Sequence, residues 1–222
     1  MSAQLVLPLA SKASLSRDDF IAAPCNEEAL AFIDSWPDWP VPVAALYGAA
    51  GSGKTHLVSA WRERSGAEIF SAGSLQDMDR AKPIAIENVD STEASHARDA
   101  LLFALIEGAA RTRPVLLTGI EPPSAWATVL PDLASRFSAM LAFPLWAPDE
   151  GLLAALARKL FTDRQLNVPE PVIGRMVLSL ERSPAAIREF VAKADAKALA
   201  EGRPINLPLV REMLAARETG LP

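Results

Sequence analysis

The stretch Gly48-Ala-Ala-Gly-Ser-Gly-Lys-Thr55 has the spacing G-x-x-x-x-G-K-[ST]. That pattern is suited to gripping a polyphosphate. Gly48, Gly51 and Gly53 let the backbone curl, so that loop N–H groups, that of Ser52 included, point at phosphate oxygens. A helix opening at Lys54 would add its favourable N-terminal dipole. Lys54 is expected to reach the β- and γ-phosphates and Thr55 to hold Mg²⁺. His56 follows directly and reads as a support of the loop at the edge of the ligand.

A second chemical signal is Ile84-Ala-Ile-Glu87, an apolar run ending in acid. Beside a phosphate loop, Glu87 would bind Mg²⁺ directly or through water. Hydrolysis usually also needs a second acid to orient or deprotonate water. The next residue is Asn88, which hydrogen-bonds water but is a poor base. Asp90 can stand in for the missing acid or cap the helix that follows. The cap is the expectation, because two positions beyond a strand end is a different place.

These residues need a scaffold, and the surrounding pattern supplies one. Apolar runs at Val41–Gly48, Ala67–Phe70, Ile84–Glu87, Pro114–Gly119 and Met140–Leu145 read as strands. Between them, Asn26–Trp36, Lys54–Arg64 and Ala97–Glu107 carry helical stripes, with a short segment around Asp132–Arg136. Strands alternating with helices predict an α/β fold, a three-layer αβα parallel sheet. After Pro148 only helical patterns remain, which predicts a small all-helical lid domain. Ser183 reads as an N-cap with Pro184 as first helical residue. The expected division is a tail at 1–18, an αβα nucleotide-binding domain at 19–147 and a helical domain at 148–222.

Composition narrows the function. Half of the 222 residues are hydrophobic, so a packed core is expected. The net charge of −5 lacks the basic footprint of a DNA-binding domain. One cysteine, Cys25, rules out an intrachain disulfide and fits a reduced, cytoplasmic setting. Two histidines far apart in sequence give no metal-ligand spacing. No apolar run has the length of a membrane span. The five tryptophans read as packing or interface residues rather than base-stacking platforms.

With these motifs in hand, the chain resembles the AAA+ ATPases, and within them the DnaA branch, over roughly residues 20 to 218. FIAAPCNEEAL, Phe20–Leu30, is similar to the entry segment of the DnaA nucleotide domain. LLTGIEPP resembles the sensor 1 strand end, which implies Thr118 near the γ-phosphate. LPDLASRF, Leu130–Phe137, resembles the segment carrying the arginine finger, which implies that role for Arg136. SPAAIREF resembles the sensor 2 helix and implies phosphate contact for Arg188. Arg188 also lies off the apolar stripe of Ile187, Phe190, Val191 and Ala194, free to face an interdomain cleft.

DnaA initiators continue into a helix-turn-helix domain, whereas this sequence stops at Pro222. The expectation is therefore no sequence-specific DNA-binding domain. QLVLPL, Gln4–Leu9, is similar to the sliding-clamp-binding peptide of the Hda family of DnaA-related regulators. Gln4 offers an amide, Leu5, Leu7 and Leu9 apolar anchors, and Pro8 a stiffened bound form. A strand packed on the domain is the alternative for this segment. The resemblance implies a DnaA initiator and the DNA polymerase sliding clamp as partners. It also implies resident ADP or ATP with Mg²⁺, weak hydrolysis of its own and no membrane partner, and leaves room for a homo-oligomer. Arg136 would then stimulate hydrolysis of ATP held by DnaA. The alternatives are a free-standing ATPase that loads a helicase on single-stranded DNA, and an anchoring factor indifferent to Arg136.

Overall fold

The structure, a computed structural model, describes residues 15–75 and 81–218. Five parallel strands form one sheet: β1 (Val43–Tyr47), β2 (Glu68–Ser71), β3 (Ile84–Glu87), β4 (Val115–Gly119) and β5 (Leu141–Pro144). Their order across the sheet is β2-β3-β4-β1-β5. The loop after β1 therefore emerges between the ends of β4 and β5. Backbone bonds fix that spot: Gly48 N–H donates to the Gly119 carbonyl at 3.2 Å, and Leu145 N–H to the Tyr47 carbonyl at 2.7 Å.

Strand side chains alternate between faces, and the two faces bury different helices. Ala44, Leu46, Ala85 and Leu116 pack with Leu30, Phe32 and Ile33 of α1 (Glu27–Asp34) and with Leu57, Val58 and Trp61 of α2 (Lys54–Ser65). Ala45, Ile84, Ile86, Val115 and Leu117 point the other way. They meet Leu102 and Leu105 of α3 (His96–Glu107) and Leu133 and Phe137 of α4 (Pro131–Ser138). Both faces are covered, which explains why the strands are continuous apolar runs.

From Glu150 the described chain is helical: α5 (Glu150–Asp163), α6 (Glu170–Ser179), α7 (Pro184–Glu201) and α8 (Leu207–Glu218). These helices share their own core, with Leu153, Phe161, Met176, Ile187, Phe190 and Leu209 nearly inaccessible. The caps are built as their residue types dictate. Asp149 accepts the Leu152 N–H at 2.7 Å, and Ser183 accepts the Ala186 N–H at 3.1 Å.

One segment touches all of these bodies. Within Leu15–Asn26, a 3-10 turn at Arg17–Asp19 pairs Arg17 with Asp34 of α1 at 2.6 Å and Asp19 with Lys159 of α5 at 2.6 Å. Ile21 packs against the core of the later helices, and Phe20 against that of the sheet. Among the described residues no helix is long and apolar enough to cross a membrane.

Candidate functional site

The loop between β1 and α2 is held by its glycines. Gly48 has φ 150°, and a Cβ there would stand 2.2 Å from the Leu145 carbonyl oxygen. Gly53, at φ 111°, closes on the Phe20 ring, and a Cβ at this position would meet that ring at 3.0 Å. Lys54 folds back over the loop and donates from Nζ to the carbonyls of Gly48 and, at 2.9 Å, Ala49. Burial pushes its ammonium pKa down, while the charges of Asp90 and Glu87 push back. No carboxylate stands within ion-pair distance of it among the described residues, so its charge is available to an anion. Ser52 Oγ is buried with no hydrogen-bond partner. A buried orphan hydroxyl costs about 1–3 kcal/mol, which a phosphate oxygen would relieve.

Glu87 ends β3 facing this loop, and its Oε1 accepts the Thr55 hydroxyl at 2.6 Å. The two residues expected to serve Mg²⁺ are thus in contact. Both offer hard oxygen donors, the set this cation prefers. Among the described residues there is no cluster of three or more His, Cys, Asp or Glu. Phosphate oxygens and water would have to complete the shell. Asn88 follows in the left-handed conformation, φ 57° and ψ 49°, and donates its N–H to Thr118 Oγ1 at 3.1 Å.

Asp90 departs from the expectation. It does not cap α3, whose N-cap is Ser95, accepting the Arg98 N–H at 3.3 Å. Asp90 sits instead in a 3-10 turn, Val89–Ser91. Its Oδ2 accepts the backbone N–H groups of Ile120 at 2.6 Å and Glu121 at 2.8 Å, just past β4. Four residues separate this turn from the true helix start, room the sequence pattern did not reveal. Asp90 Oδ1 is buried without a partner.

A cavity of about 350 Å³ opens beside the loop, between the sheet and the later helices. Its polar wall includes Asp19, Asn26, Gly51–His56 and Asn88. Its apolar wall is Leu15, Phe20, Ile21, Leu152, Leu156 and Pro184. Arg188 stands on the α7 side of the same cavity. It is half-buried, and burial lowers its guanidinium pKa. Among the described residues it makes no ion pair. His56 is buried, with Nε2 2.7 Å from the Ser16 carbonyl, so the neutral ring carries its proton there. Its pKa is lowered, chiefly by burial.

Asn26 belongs to the entry motif, and the structure shows what its side chain does there. Buried at the cavity, it accepts the Ala23 N–H and donates to the Ile21 carbonyl, both at 3.0 Å, closing the entry loop. Thr118 is 1% exposed and does not reach the cavity wall; Asn88 lies in between. Gly48 likewise shapes the loop from beneath. Trp39 and Trp61 stack in the core 4.9 Å apart, whereas Trp146 is 61% exposed. Gln4, Leu5, Leu7, Pro8 and Leu9 lie outside the described residues.

Arg136 does not line this cavity. It projects from α4, its side chain 53% exposed, and pairs with Glu107 at the end of α3 at 2.8 Å. One buried pair gives no signal in the sequence pattern: Arg98 and Asp99, 7% and 0% exposed. They sit in the first turn of α3, buried together with Leu102 and Leu105.

No protein-family profile and no curated protein matches the sequence. Solved structures do match in shape. Domain III of the Thermotoga maritima replication initiation protein DnaA superposes with a TM-score of 0.72 at 17% identity, over 88% of this chain and 93% of that one. AMPPCP-bound DnaA from Aquifex aeolicus gives 0.71 at 15%, over 82% of this chain and 65% of that one, so this chain spans just under two thirds of it. A variant of Thermotoga maritima RuvB gives 0.70 at 15%, over 91% and 72%. At these identities the likeness is one of fold: the parallel sheet with its flanking helices is an α/β fold of the kind seen in DnaA domain III and in RuvB.

Proposed function

We propose that this protein is a nucleotide-bound AAA+ regulator of replication initiation, acting as members of the Hda family do, which stimulates hydrolysis of ATP held by a DnaA initiator. Its own cavity takes ADP or ATP. Lys54 and the N–H groups of Gly51–Thr55 hold the phosphates, and Arg188 reaches them from the helical lid formed by α5–α8. Thr55 and Glu87 hold Mg²⁺, which when bound neutralises phosphate charge. The base lies against Phe20, Ile21 and Leu156. Hydrolysis in this cavity is slow, because Asn88 occupies the place of a proton-accepting acid. The nucleotide, ADP by preference, fixes shape rather than fuelling work.

The observation that carries the reading is the position of Arg136. Its guanidinium is exposed on α4, does not line its own cavity, and among the described residues its one ion pair is that with Glu107 at the surface. Such a pair is worth about 0–1 kcal/mol, so a triphosphate presented by a partner can displace Glu107. An arginine supplied in trans accelerates phosphoryl transfer by roughly 10³ to 10⁵. Residues Gln4–Leu9 dock on the DNA-loaded sliding clamp.

The test follows hydrolysis of labelled ATP preloaded on DnaA, with this protein, loaded clamp, both or neither. Acceleration only with both is expected. Deleting residues 1–10 should abolish it without lowering the melting temperature. Rapid turnover by this protein alone on single-stranded DNA would favour a helicase loader instead.

A further inference from the structure

The turn that follows β3 is tied to α4 by two separate side-chain routes. The first starts at Val89, whose carbonyl accepts Arg98 Nη2 at 2.9 Å. Arg98 Nη1 reaches the Ala127 carbonyl and the Asp99 carboxylate, each at 3.3 Å. Asp99 in turn accepts the Thr128 hydroxyl at 2.6 Å and the Val129 N–H at 2.7 Å. Thr128 Oγ1 accepts the N–H of Leu130, the N-cap of α4, at 3.1 Å.

The second route starts at Asp90, which grips Ile120 and Glu121 by their N–H groups. The Glu121 carbonyl accepts the Trp126 indole N–H at 2.7 Å. That ring lies over Gly119, where a Cβ would come within 2.6 Å of the indole nitrogen. It meets Phe137 edge-on at 5.1 Å, and Phe137 is the neighbour of Arg136 on α4. Both routes begin one or two residues from Asn88, which lines the cavity in a left-handed conformation. A buried ion pair is a weak stabiliser, and a well-packed apolar pair would often do as well. Its presence here fits a requirement for fixed geometry.

We propose that the Asn88–Asp90 turn sets the placement of Arg136, with Arg98, Asp99 and Trp126 as positioning residues, so that the occupant of the cavity governs how the guanidinium is presented. This rests on the reading of Arg136 as acting on a partner's phosphate. A displacement of about 1 Å can cost a reaction roughly 100-fold, so modest loosening of either route should be visible.

Trp126→Phe removes the indole N–H but keeps a ring on Phe137, and Thr128→Val removes the hydroxyl that meets Asp99. Neither residue lies on the cavity wall. Each variant, loaded with ADP and Mg²⁺, is assayed on ATP preloaded on DnaA. Stimulation should fall by about tenfold, and neither change should have any further effect in an Arg136→Ala background. In parallel, the Trp126 indole N–H resonance, assigned by its loss in Trp126→Phe, should shift when ADP and Mg²⁺ are added, and the shift should collapse in Asp90→Asn. Full stimulation by both variants, with Arg136→Ala inactive, would overturn the proposal. If Arg136→Ala itself stimulates normally, the function proposed above fails, and the resonance alone decides the coupling: no nucleotide-dependent shift refutes it.

Discussion

Two arginines divide the molecule. Arg188 faces the cavity from α7, half-buried, desolvated and without an ion pair among the described residues. Arg136 stands on α4 outside the cavity lining, solvated and paired with Glu107. The first is arranged at a cost that only a bound anion can offset. The second is arranged cheaply, ready to exchange one carboxylate for another anion. In the proposed function, burial separates the group that would serve the home ligand from the one that would serve a neighbour's.

The largest effect should come from the floor of the cavity. Lys54→Ala removes the charge that two loop carbonyls hold in place. Affinity for ADP, measured by calorimetry, should fall on the order of 30- to 1,000-fold, in line with losing one partner of a buried charge pair. Retained affinity would mean the phosphates bind elsewhere and would dissolve the contrast.

Arg188→Met sharpens it further. Burial lowers the pKa of Arg188, so the folded state penalises its charged form at every working pH. Removing the charge should raise the melting temperature of the nucleotide-free protein while weakening ADP about tenfold, the size of a charge-assisted hydrogen bond. A lower melting temperature without nucleotide would show that Arg188 has structural work after all. Glu107→Gln acts on the other arginine. It should leave stability within about 1 kcal/mol and raise stimulation of DnaA-bound ATP hydrolysis by about two- to fivefold as the guanidinium is released. A fall in stimulation would mean that Glu107 aims Arg136 rather than parks it.

The smallest effect concerns pH. Burial holds the pKa of His56 below its ordinary value of 6.5. Between those two pKa values the unfolded chain binds more protons than the folded one, so stability is full above about pH 6.5 and declines as pH falls below it. His56→Gln should flatten that part of the melting profile, and an unchanged slope would assign it to other groups.

Much of this scaffold was legible from local pattern. The strand at Ile84–Glu87 and the loop at Gly48–Thr55 announce themselves, because a doubly covered strand must be apolar throughout and a phosphate loop must be glycine-rich. Asp90 was not legible. A carboxylate before a helix looks like a cap, and only the four residues between its turn and α3 leave it free to grip the chain beyond β4. Arg98 and Asp99 were hidden for a different reason. Adjacent opposite charges at a helix start resemble a solvated end, and their burial depends on the loop at Ala127–Val129, which no local pattern brings there. The contact between Thr55 and Glu87, 32 residues apart, follows from β1 and β3 ending at the same edge of the sheet.

The most direct test of the division between the two arginines is a single paired measurement on Arg136→Ala. Its affinity for ADP is compared with the unsubstituted protein's, and its effect on ATP preloaded on DnaA is followed with loaded clamp present. Unchanged ADP affinity, with hydrolysis reduced to the rate of DnaA alone, is the predicted result. Hydrolysis as fast as with the unsubstituted protein would contradict it.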